Sequence, residues 1–161
     1  MIEHPIEPVY DADSQILILG SFPSVKSRES GFFYGHPQNR FWKVLAAVTS
    51  QEVPQTIEEK RNFLLRNHIA VWDVIQSCTI TGSSDSSIKN VVANDLSRIL
   101  DRAAIQQIYV NGRKAEQLYQ KYIYPETRIE AVCLPSTSPA NAAWNLEKLV
   151  ETWKKIAEYC S

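Results

Sequence analysis

The stretch Gln15-Ile-Leu-Ile-Leu-Gly20 decides the fold of this 161-residue chain. Four consecutive apolar residues ending at a glycine indicate a short strand that is buried on both faces, which is typical of parallel sheets. Three further strands are predicted at residues 69–74, 107–111 and 129–134. We therefore predict a central sheet of four parallel strands.

Helical segments separate and follow these strands. Apolar residues recur at helical spacing in residues 41–48, 57–67, 96–103 and 113–122, and a last helix is predicted from Ser138-Pro139 to residue 157. Asn94 and Ser138 can cap helices through their side chains, and Pro139 suits a first helical position. Strands alternating with helices predict an α/β protein: a three-layer α/β/α sandwich around the four-stranded parallel sheet, in one domain of residues 1–161.

Composition limits the class of protein. The net charge of -1 argues against a protein that coats nucleic acid by charge alone, and no stretch has the roughly 18–20 apolar residues of a membrane helix. The N-terminus lacks a secretory pattern, so we expect a cytoplasmic protein. We also expect it to be a monomer. Cys78, Cys133 and Cys160 are widely spaced and the three histidines share no ligand spacing. We expect inert thiols, no metal and no cofactor.

The local distribution of charge is more informative than the sum. Residues 26–43 contain Lys26, Arg28, Arg40 and Lys43 against a single acid, Glu29. A few such cations on one side of a protein can hold the phosphates of a nucleic acid. The sequence therefore predicts a mildly basic face.

Ligands of parallel α/β sheets bind beyond the carboxyl ends of the strands. Here that edge brings together residues 20–24, Asp73, Asn111 and residues 135–141, which hold most of the unusual polar side chains. We expect Asp73 to cap or brace its strand end. The polar loop at residues 79–90 is longer than a simple connection needs, and its Asp85 is either a turn-former or a general base.

The segment Gly20-Ser-Phe-Pro-Ser24 follows the first predicted strand. Its glycine permits a sharp turn, its proline fixes φ, and the surrounding N–H groups can point at an anion. The glycine and lysine spacings of a phosphate-binding loop or a dinucleotide fingerprint are absent. The segment therefore predicts a tight loop at the ligand edge.

Aromatic residues surround an amide in the segment Gly31-Phe-Phe-Tyr-Gly-His-Pro-Gln-Asn-Arg-Phe-Trp42. We expect Phe41 and Trp42 in the core, whereas Phe33 or Tyr34 can stack on a nucleobase. Asn39 can hydrogen-bond a base edge through both its donor and its acceptor. His36 either donates to a leaving group or fixes its loop by bonding a backbone carbonyl.

The segment Leu134-Pro-Ser-Thr-Ser-Pro-Ala-Asn141 contains no charge. Its three hydroxyls, placed before a helix N-terminus, can hold a phosphate without a cation. Ser138 as a plain helix cap is the alternative, and it is compatible with phosphate binding.

These segments resemble the uracil-DNA glycosylase superfamily in order and spacing. Residues 20–24 lie where its first motif is found, residues 36–43 are similar to the segment that follows in mismatch-specific members, and residues 134–141 stand at the second motif. The combination is most similar to the hypoxanthine-DNA glycosylase branch and spans residues 15–157. Phe22 stands where most members have the Asp or Asn that positions water, and the hypoxanthine branch also carries Phe there.

The resemblance implies a monofunctional DNA glycosylase that flips a deaminated base out of DNA, hydrolyses its N-glycosidic bond and leaves an abasic site. Hypoxanthine is the expected base, with uracil and xanthine as alternatives, and double-stranded DNA is the expected partner, with single-stranded DNA as the alternative. No lysine falls in the matched motifs, so no Schiff-base step is expected. The rival interpretations are a catalytically silent DNA-binding member of the same fold and a small-nucleotide-binding protein on a flavodoxin-like sheet.

The residues expected to act fall into three groups. Asn39 is the first candidate for orienting water or the base, and Asn111 is the second candidate and the expected reader of the base edge. The base-binding residues are Ser21, Phe22, Phe33, Tyr34 and His36. The DNA-binding residues are Ser24, Ser136, Thr137, Ser138, Pro139, Ala140 and Asn141.

Overall fold

A computed structural model describes residues 1–160 of the chain. Ser161, the last residue of the predicted domain, lies outside the described residues. The main sheet contains β2 (Ile16–Gly20), β3 (Ile69–Asp73), β6 (Gln107–Asn111) and β7 (Ala131–Leu134). Its order is β3-β2-β6-β7 and every pairing is parallel. The predicted α/β class with a central four-stranded parallel sheet is thus confirmed.

The strands at the centre of this sheet are buried on both faces. Every residue of β2 and β3 is buried, as their unbroken apolar runs predict. The register pairs Gly20 with Asp73 at the carboxyl ends, and Asn111 with Leu134 at the same edge. Polar side chains that follow these strands therefore come close together.

Helices flank the sheet. They are α1 (Val25–Ser30), α2 (Phe41–Thr49), α3 (Ile57–Arg66), α4 (Ser97–Leu100), α5 (Arg113–Leu118), α6 (Tyr124–Thr127) and α7 (Leu146–Trp153). A capping box between Thr56 and Glu59 begins α3, with the Thr56 Oγ1 accepting from the Glu59 N–H. No helix within residues 1–160 has the length and apolarity needed to cross a membrane.

A second, antiparallel sheet was not predicted. It contains β1 (Ile2–Glu3), β4 (Ile75–Thr79) and β5 (Lys89–Ala93) in the order β1-β4-β5. Only Ile75 and Cys78 are buried in β4, and its pairing with β5 is irregular, so regular alternation of apolar and polar residues is missing. The predicted loop at residues 79–90 is the connection of this hairpin and includes a 3₁₀ turn at Asp85–Ser87.

The prediction that Asn94 caps a helix is wrong. The Asn94 Nδ2 donates to the backbone oxygens of Asp73 and Ile75, at 2.9 and 3.2 Å, because Asn94 is buried beside the junction of β3 and β4. The Oδ1 of Asp95 instead accepts from the Ser97 N–H at the start of α4.

The last helix also begins later than predicted. Residues 138–144 form consecutive turns, and α7 starts after Asn145, whose Oδ1 accepts from the Lys148 N–H. The physical reason is Arg40, which takes up carbonyl oxygens of this segment that a helix would use internally. A 3₁₀ segment, Lys154–Tyr159, follows α7. The predicted helix at residues 113–122 likewise continues from α5 through a π-helical turn, Tyr119–Ile123, into α6.

Candidate active site

A cleft of about 350 Å³ opens at the carboxyl edge of the main sheet. Its size is within the range of small-ligand sites, about 300–1,000 Å³. Its walls come mainly from three segments, residues 20–27, 33–39 and 136–140, and we call the last of these the third wall. Together they bring Tyr34, Asn39 and Ser136 into one site. The lining residues are Gly20, Ser21, Phe22, Pro23, Ser24, Ser27, Phe33, Tyr34, His36, Asn39, Asp73, Ser83, Asp85, Asn111, Ser136, Thr137, Ser138, Pro139 and Ala140.

Tyr34 contributes an aromatic wall. Its ring stacks on Phe41, with ring centres 3.9 Å apart and planes inclined by 17°. The backbone of Tyr34 has a φ of 53°, a left-handed conformation that is uncommon for a bulky residue and is often found at functional sites. The ring is thus supported from behind at the cleft.

Phe33 does not share this role. Its side chain is 2% exposed and packs against His4 and Phe32, and its carbonyl accepts from the Trp42 indole N–H. A ring that is enclosed in this way has no face to offer a base. The structure therefore corrects the expectation for Phe33, while Phe41 and Trp42 are core residues as predicted.

Asn39 and His36 shape the loop before α2. The Asn39 Oδ1 accepts from the Phe41 N–H at 2.9 Å, and no residue within the described part of the chain engages its Nδ2. The His36 Nδ1 accepts from the Gln38 backbone N–H at 3.1 Å, so His36 bonds its own loop, although through an N–H and not through the carbonyl that one of the two alternatives named. A neutral His36 then has its proton on Nε2 and can donate from there.

The first motif closes the cleft on the side of the polar loop. The Ser21 hydroxyl donates to the Asp85 Oδ1 at 3.1 Å, across 64 residues of chain. Phe22 is 9% exposed and makes an edge contact with His4, and the Ser24 Oγ caps α1 by accepting from the Ser27 N–H. The short polar loop after β2 is thereby fixed.

Asp85 forms a turn, which is one of the two roles that its sequence allowed, and it also lines the cleft. Its backbone oxygen accepts from the Ile88 N–H after the 3₁₀ turn, and its carboxyl is held at the cleft by the Ser21 hydroxyl. The residue is exposed as a whole, but the loss of solvent around the carboxyl raises its pKa, against the opposing effect of the Ser21 hydroxyl. The carboxyl can therefore accept protons at the cleft at a higher pH than an ordinary aspartate.

Asn111 and Thr137 hold the third wall together. The Asn111 Nδ2 donates to the Thr137 Oγ1 and the Asn111 Oδ1 accepts from the Thr137 N–H, both at 3.1 Å. Thr137 is fully buried, so the expectation that it grips DNA is wrong. Gly112, directly after β6, has a φ of 96°, and a Cβ built on it would lie 3.0 Å from the Cβ of Ser136. Residues 136–140 can therefore approach the end of β6 this closely because residue 112 is glycine.

A cation lies directly behind this segment. Arg40 donates from Nε to the Thr137 oxygen at 3.4 Å and from Nη2 to the oxygens of Ser138 and Asn141 at 2.8 and 3.2 Å, and Nη1 reaches the Trp144 oxygen. The segment itself has no charge, as its sequence shows, but this cation contacts its backbone, which the sequence did not predict. Within residues 1–160 the guanidinium pairs with no carboxylate, so its positive charge remains available behind the hydroxyls.

The remaining residues of this segment form its exposed tip. The Ser136 Oγ accepts from the Ser138 N–H, and the Asn141 Nδ2 donates to the Ser136 oxygen. Pro139 and Ala140 are exposed. A second groove of about 670 Å³ adjoins the cleft, and Arg113 and Trp144 line it together with residues of this tip. The surface therefore extends well beyond one small ligand.

A buried pair lies at the closed end of the cleft. The His4 Nε2 is 2.7 Å from the Asp73 Oδ2, and the His4 Nδ1 accepts from the Ile6 N–H. The neutral imidazole therefore has its proton on Nε2, and this N–H donates a hydrogen bond to the Asp73 Oδ2. Asp73 does more than brace its strand end, because it also lines the cleft.

The Tyr34 hydroxyl points to the same end and is buried without a hydrogen-bond partner among the described residues. Burial raises the pKa of Tyr34 well above its usual value, the charge of Asp73 adds to this effect, and the nearby Asn111 amide opposes it. The hydroxyl is therefore a proton donor at every working pH. Leaving it unpaired costs folding free energy.

Tyr34→Phe is consequently expected to stabilise the protein, because it removes a buried polar atom that has no partner. The expected gain is about 1 kcal/mol, or about 2–4 °C in Tm. Thermal unfolding monitored by circular dichroism measures it. Tyr119→Phe is the matched control: its hydroxyl donates to the Ile129 oxygen at 2.5 Å, so this variant should lose stability. A lower Tm for Tyr34→Phe would contradict the assignment.

The sequence of the chain matches a known protein family. The family model described as the uracil DNA glycosylase superfamily matches residues 7–157. The chain belongs to this superfamily. It is a DNA glycosylase. The predicted resemblance to the uracil-DNA glycosylase superfamily is thus confirmed.

Two relatives extend this comparison. A Methanosarcina acetivorans protein named hypoxanthine DNA glycosylase is 34% identical over 161 residues, covering 97% of this chain and 98% of the relative. A Methanosarcina barkeri protein of the same name is 34% identical over 110 residues, 67% of this chain and 70% of the relative. The solution NMR structure of a Methanosarcina acetivorans protein assigned as a uracil DNA glycosylase superposes with a TM-score of 0.80 at 30% identity, covering 97% and 99% of the two chains.

Sequence reasoning missed several residues of this glycosylase site. Arg40 was assigned only to a basic face, and Arg113 and Trp144 were not considered. Asp73 was placed at the ligand edge but was expected only to cap or brace its strand; the register of β3 with β2 puts its end beside Gly20. His4 gave no signal, since it follows the two-residue strand β1 of the unpredicted sheet.

Proposed function

We propose that this glycosylase removes hypoxanthine from double-stranded DNA, as a monomer, and leaves an abasic site. The observation that carries the proposal is the single cleft that unites Tyr34, Asn39 and Ser136, in a chain similar over nearly its full length to a protein named hypoxanthine DNA glycosylase. One chain supplies all walls of the cleft, which supports action as a monomer. Uracil and xanthine remain alternative bases.

The base must leave the duplex before it can react, because its sugar bond is shielded there. Hypoxanthine pairs weakly, so its extrusion costs less than that of a normal base. Inside the cleft the Tyr34 ring, which Phe41 supports on one face, forms an aromatic wall beside the flipped base. The base inside the cleft is then separated from the DNA duplex.

Cleavage leaves positive charge on the sugar and negative charge on the departing base. Asn39 orients the attacking water from the mouth of the cleft, where its Nδ2 is uncommitted. The His36 Nε2–H donates to the departing purine. Phe22 takes no part in activating water, because a hydrocarbon ring has no group to accept a proton.

The third wall holds the DNA backbone. Ser136 and Ser138 present hydroxyls, and the Arg40 guanidinium behind them supplies positive charge toward a phosphate. Pro139 and Ala140, exposed at the tip, lie beside the gap that the flipped nucleotide leaves. No lysine is among the residues that line the cleft in the described part of the chain, which supports hydrolysis without a Schiff base.

A panel of duplexes tests this proposal. Each duplex contains one hypoxanthine, uracil or xanthine at a defined position, and incubation is followed by hot alkali, which cuts the strand at an abasic site. Scission of the hypoxanthine duplex only after alkali is expected. Scission without alkali would contradict the monofunctional assignment. Tight binding with no scission of any duplex would favour a catalytically silent member.

The raised pKa of Asp85 gives a pH dependence. If its carboxylate assists the water, base release falls as the pH drops and the carboxylate is protonated. A raised pKa moves this fall to a higher pH than the roughly 3.9 of an ordinary aspartate. Single-turnover rates between pH 4 and 8, which is about the range where such limbs occur, should show an acid limb that Asp85→Asn abolishes. The same limb in the variant would assign it to another group.

A further inference from the structure

Two polar atoms at the closed end of the cleft have no hydrogen-bond partner among the described residues. The Tyr34 hydroxyl is buried and unpaired, and no donor within residues 1–160 reaches the Asp73 Oδ1, whereas the Oδ2 of the same carboxyl is bound by His4. An unsatisfied polar group in a native protein is costly and calls for an explanation by function or by a bound partner. A ligand edge with one acceptor and one donor would satisfy both atoms.

The two atoms are close enough to engage neighbouring atoms of one ring. A Cβ built on Gly20 would lie closer than 3.0 Å to the Asp73 Oδ1 and 3.0 Å from the Tyr34 hydroxyl. Both atoms therefore border the same point above the end of β2. Any side chain at residue 20 would displace these two atoms. Residue 20 is therefore glycine because only glycine leaves this space open.

A backbone contact fixes which atom of the pair donates and which accepts. The Nδ1 of His4 accepts from a backbone N–H, so its Nε2 is the donor and Asp73 is the acceptor. The Asp73 side chain is 5% exposed and its partner 3%, so water does not compete for this bond. His4 thereby holds Asp73 with Oδ1 directed away from the imidazole, and acts as a positioning residue.

We propose that Tyr34 and Asp73 read the Watson–Crick edge of the flipped purine. The Tyr34 O–H donates to O6 of hypoxanthine, and the Asp73 Oδ1 accepts from its N1–H. This inference rests on the proposed function and extends it to the choice of base. Adenine presents the opposite pattern, an acceptor at N1 and a donor at N6, so its N1 lone pair would face the carboxylate.

Asn111, which the sequence favoured for this role, is less suited to it. Both polar atoms of its amide are engaged by the backbone and hydroxyl of Thr137. Turning the amide toward a base would break two hydrogen bonds that hold the third wall. Asn111 is therefore a positioning residue for that wall, and the edge of the base is left to Tyr34 and Asp73.

A comparison of two bases tests the role of Tyr34. Duplexes carry either hypoxanthine or unsubstituted purine, which lacks O6, and base release is measured with wild type and Tyr34→Phe. Removing the hydroxyl should lower release of hypoxanthine by about 10–100-fold and leave release of purine unchanged, because only hypoxanthine has an O6 to accept the bond. Tyr119→Phe, a buried tyrosine that does not line the cleft, should leave both rates unchanged.

The role of Asp73 is tested by its effect on discrimination. Asp73→Asn supplies a donor where the wild type has an acceptor, so the preference for hypoxanthine over adenine should fall by about 10-fold or more, as expected for a mismatched hydrogen bond in a buried site. His4→Ala should shift the same preference in the same direction, by less. Binding to duplexes with non-cleavable 2′-fluoro nucleosides gives the preference for any variant whose catalysis is too slow.

The outcomes separate this inference from the proposed function. If wild type releases no hypoxanthine, both fail. If wild type releases hypoxanthine but Tyr34→Phe slows both bases equally, or neither, the proposed function stands and the edge-reading role is overturned. A hypoxanthine preference that Asp73→Asn leaves intact would overturn the role of the carboxylate.

Discussion

Asn39→Ala is expected to lower the rate of hypoxanthine release by about 10²–10³-fold while binding of the duplex is retained. The reason is position: Asn39 borders the cleft beside Tyr34 and His36, and its Nδ2 is not used by the protein. An alanine leaves the cleft open but removes the amide that orients water. Single-turnover kinetics and fluorescence anisotropy measure the two effects separately.

The variant also removes a hydrogen bond at the start of α2, and a control must account for that loss. The Asn39 Oδ1 accepts from the Phe41 N–H, a bond worth about 1 kcal/mol. Thr56→Ala removes a comparable side-chain bond at the start of α3, and Thr56 does not line the cleft. It should lose similar stability and keep full activity. Equal rates for Asn39→Ala and Thr56→Ala would remove Asn39 from the mechanism.

Arg40→Met is expected to destabilise the protein by about 3 kcal/mol, or about 6–12 °C in Tm. The substitution leaves several carbonyl oxygens of residues 137–144 without their donor. It also removes the charge behind Ser136 and Ser138, so the affinity for DNA should fall and become less dependent on salt. Thermal unfolding and binding titrations at two salt concentrations measure these effects.

Lys43→Met separates charge from architecture. Lys43 lies three residues further along, is exposed, and loses the same charge without losing any carbonyl contact. It should therefore unfold close to the wild-type Tm. If Arg40→Met also unfolds near that Tm, the guanidinium does not hold the third wall, and the turns at residues 138–144 need another explanation.

The sequence predicts the sheet edge well because parallel strands carry a strong signal. Unbroken apolar runs such as residues 16–19 can be satisfied only by burial on both faces, and the strand ends then meet at one edge. Placing Tyr34, Asn39 and Ser136 in one cleft followed from this rule together with the motif resemblance.

What the sequence did not reveal depends on contacts between distant segments. Arg40 contacts carbonyl oxygens that lie 97 to 104 positions further along the chain. These contacts convert a good helix start at Ser138-Pro139 into turns, and no local sequence pattern reveals them. His4 meets Asp73 across 69 residues through a two-residue strand. Phe33 and Tyr34 have similar local surroundings in sequence, and only packing buries one and leaves the other at the cleft.

The central claim is that one cleft at the sheet edge holds the flipped nucleotide. A crystal structure of the protein with a duplex containing 2′-fluoro-deoxyinosine, whose sugar bond resists cleavage, measures this directly. We expect the base inside the cleft, bordered by Tyr34 and Asn39, with residues 136–140 against the flanking backbone. A base that stays stacked in the duplex, or that occupies any other surface of the protein, would contradict it.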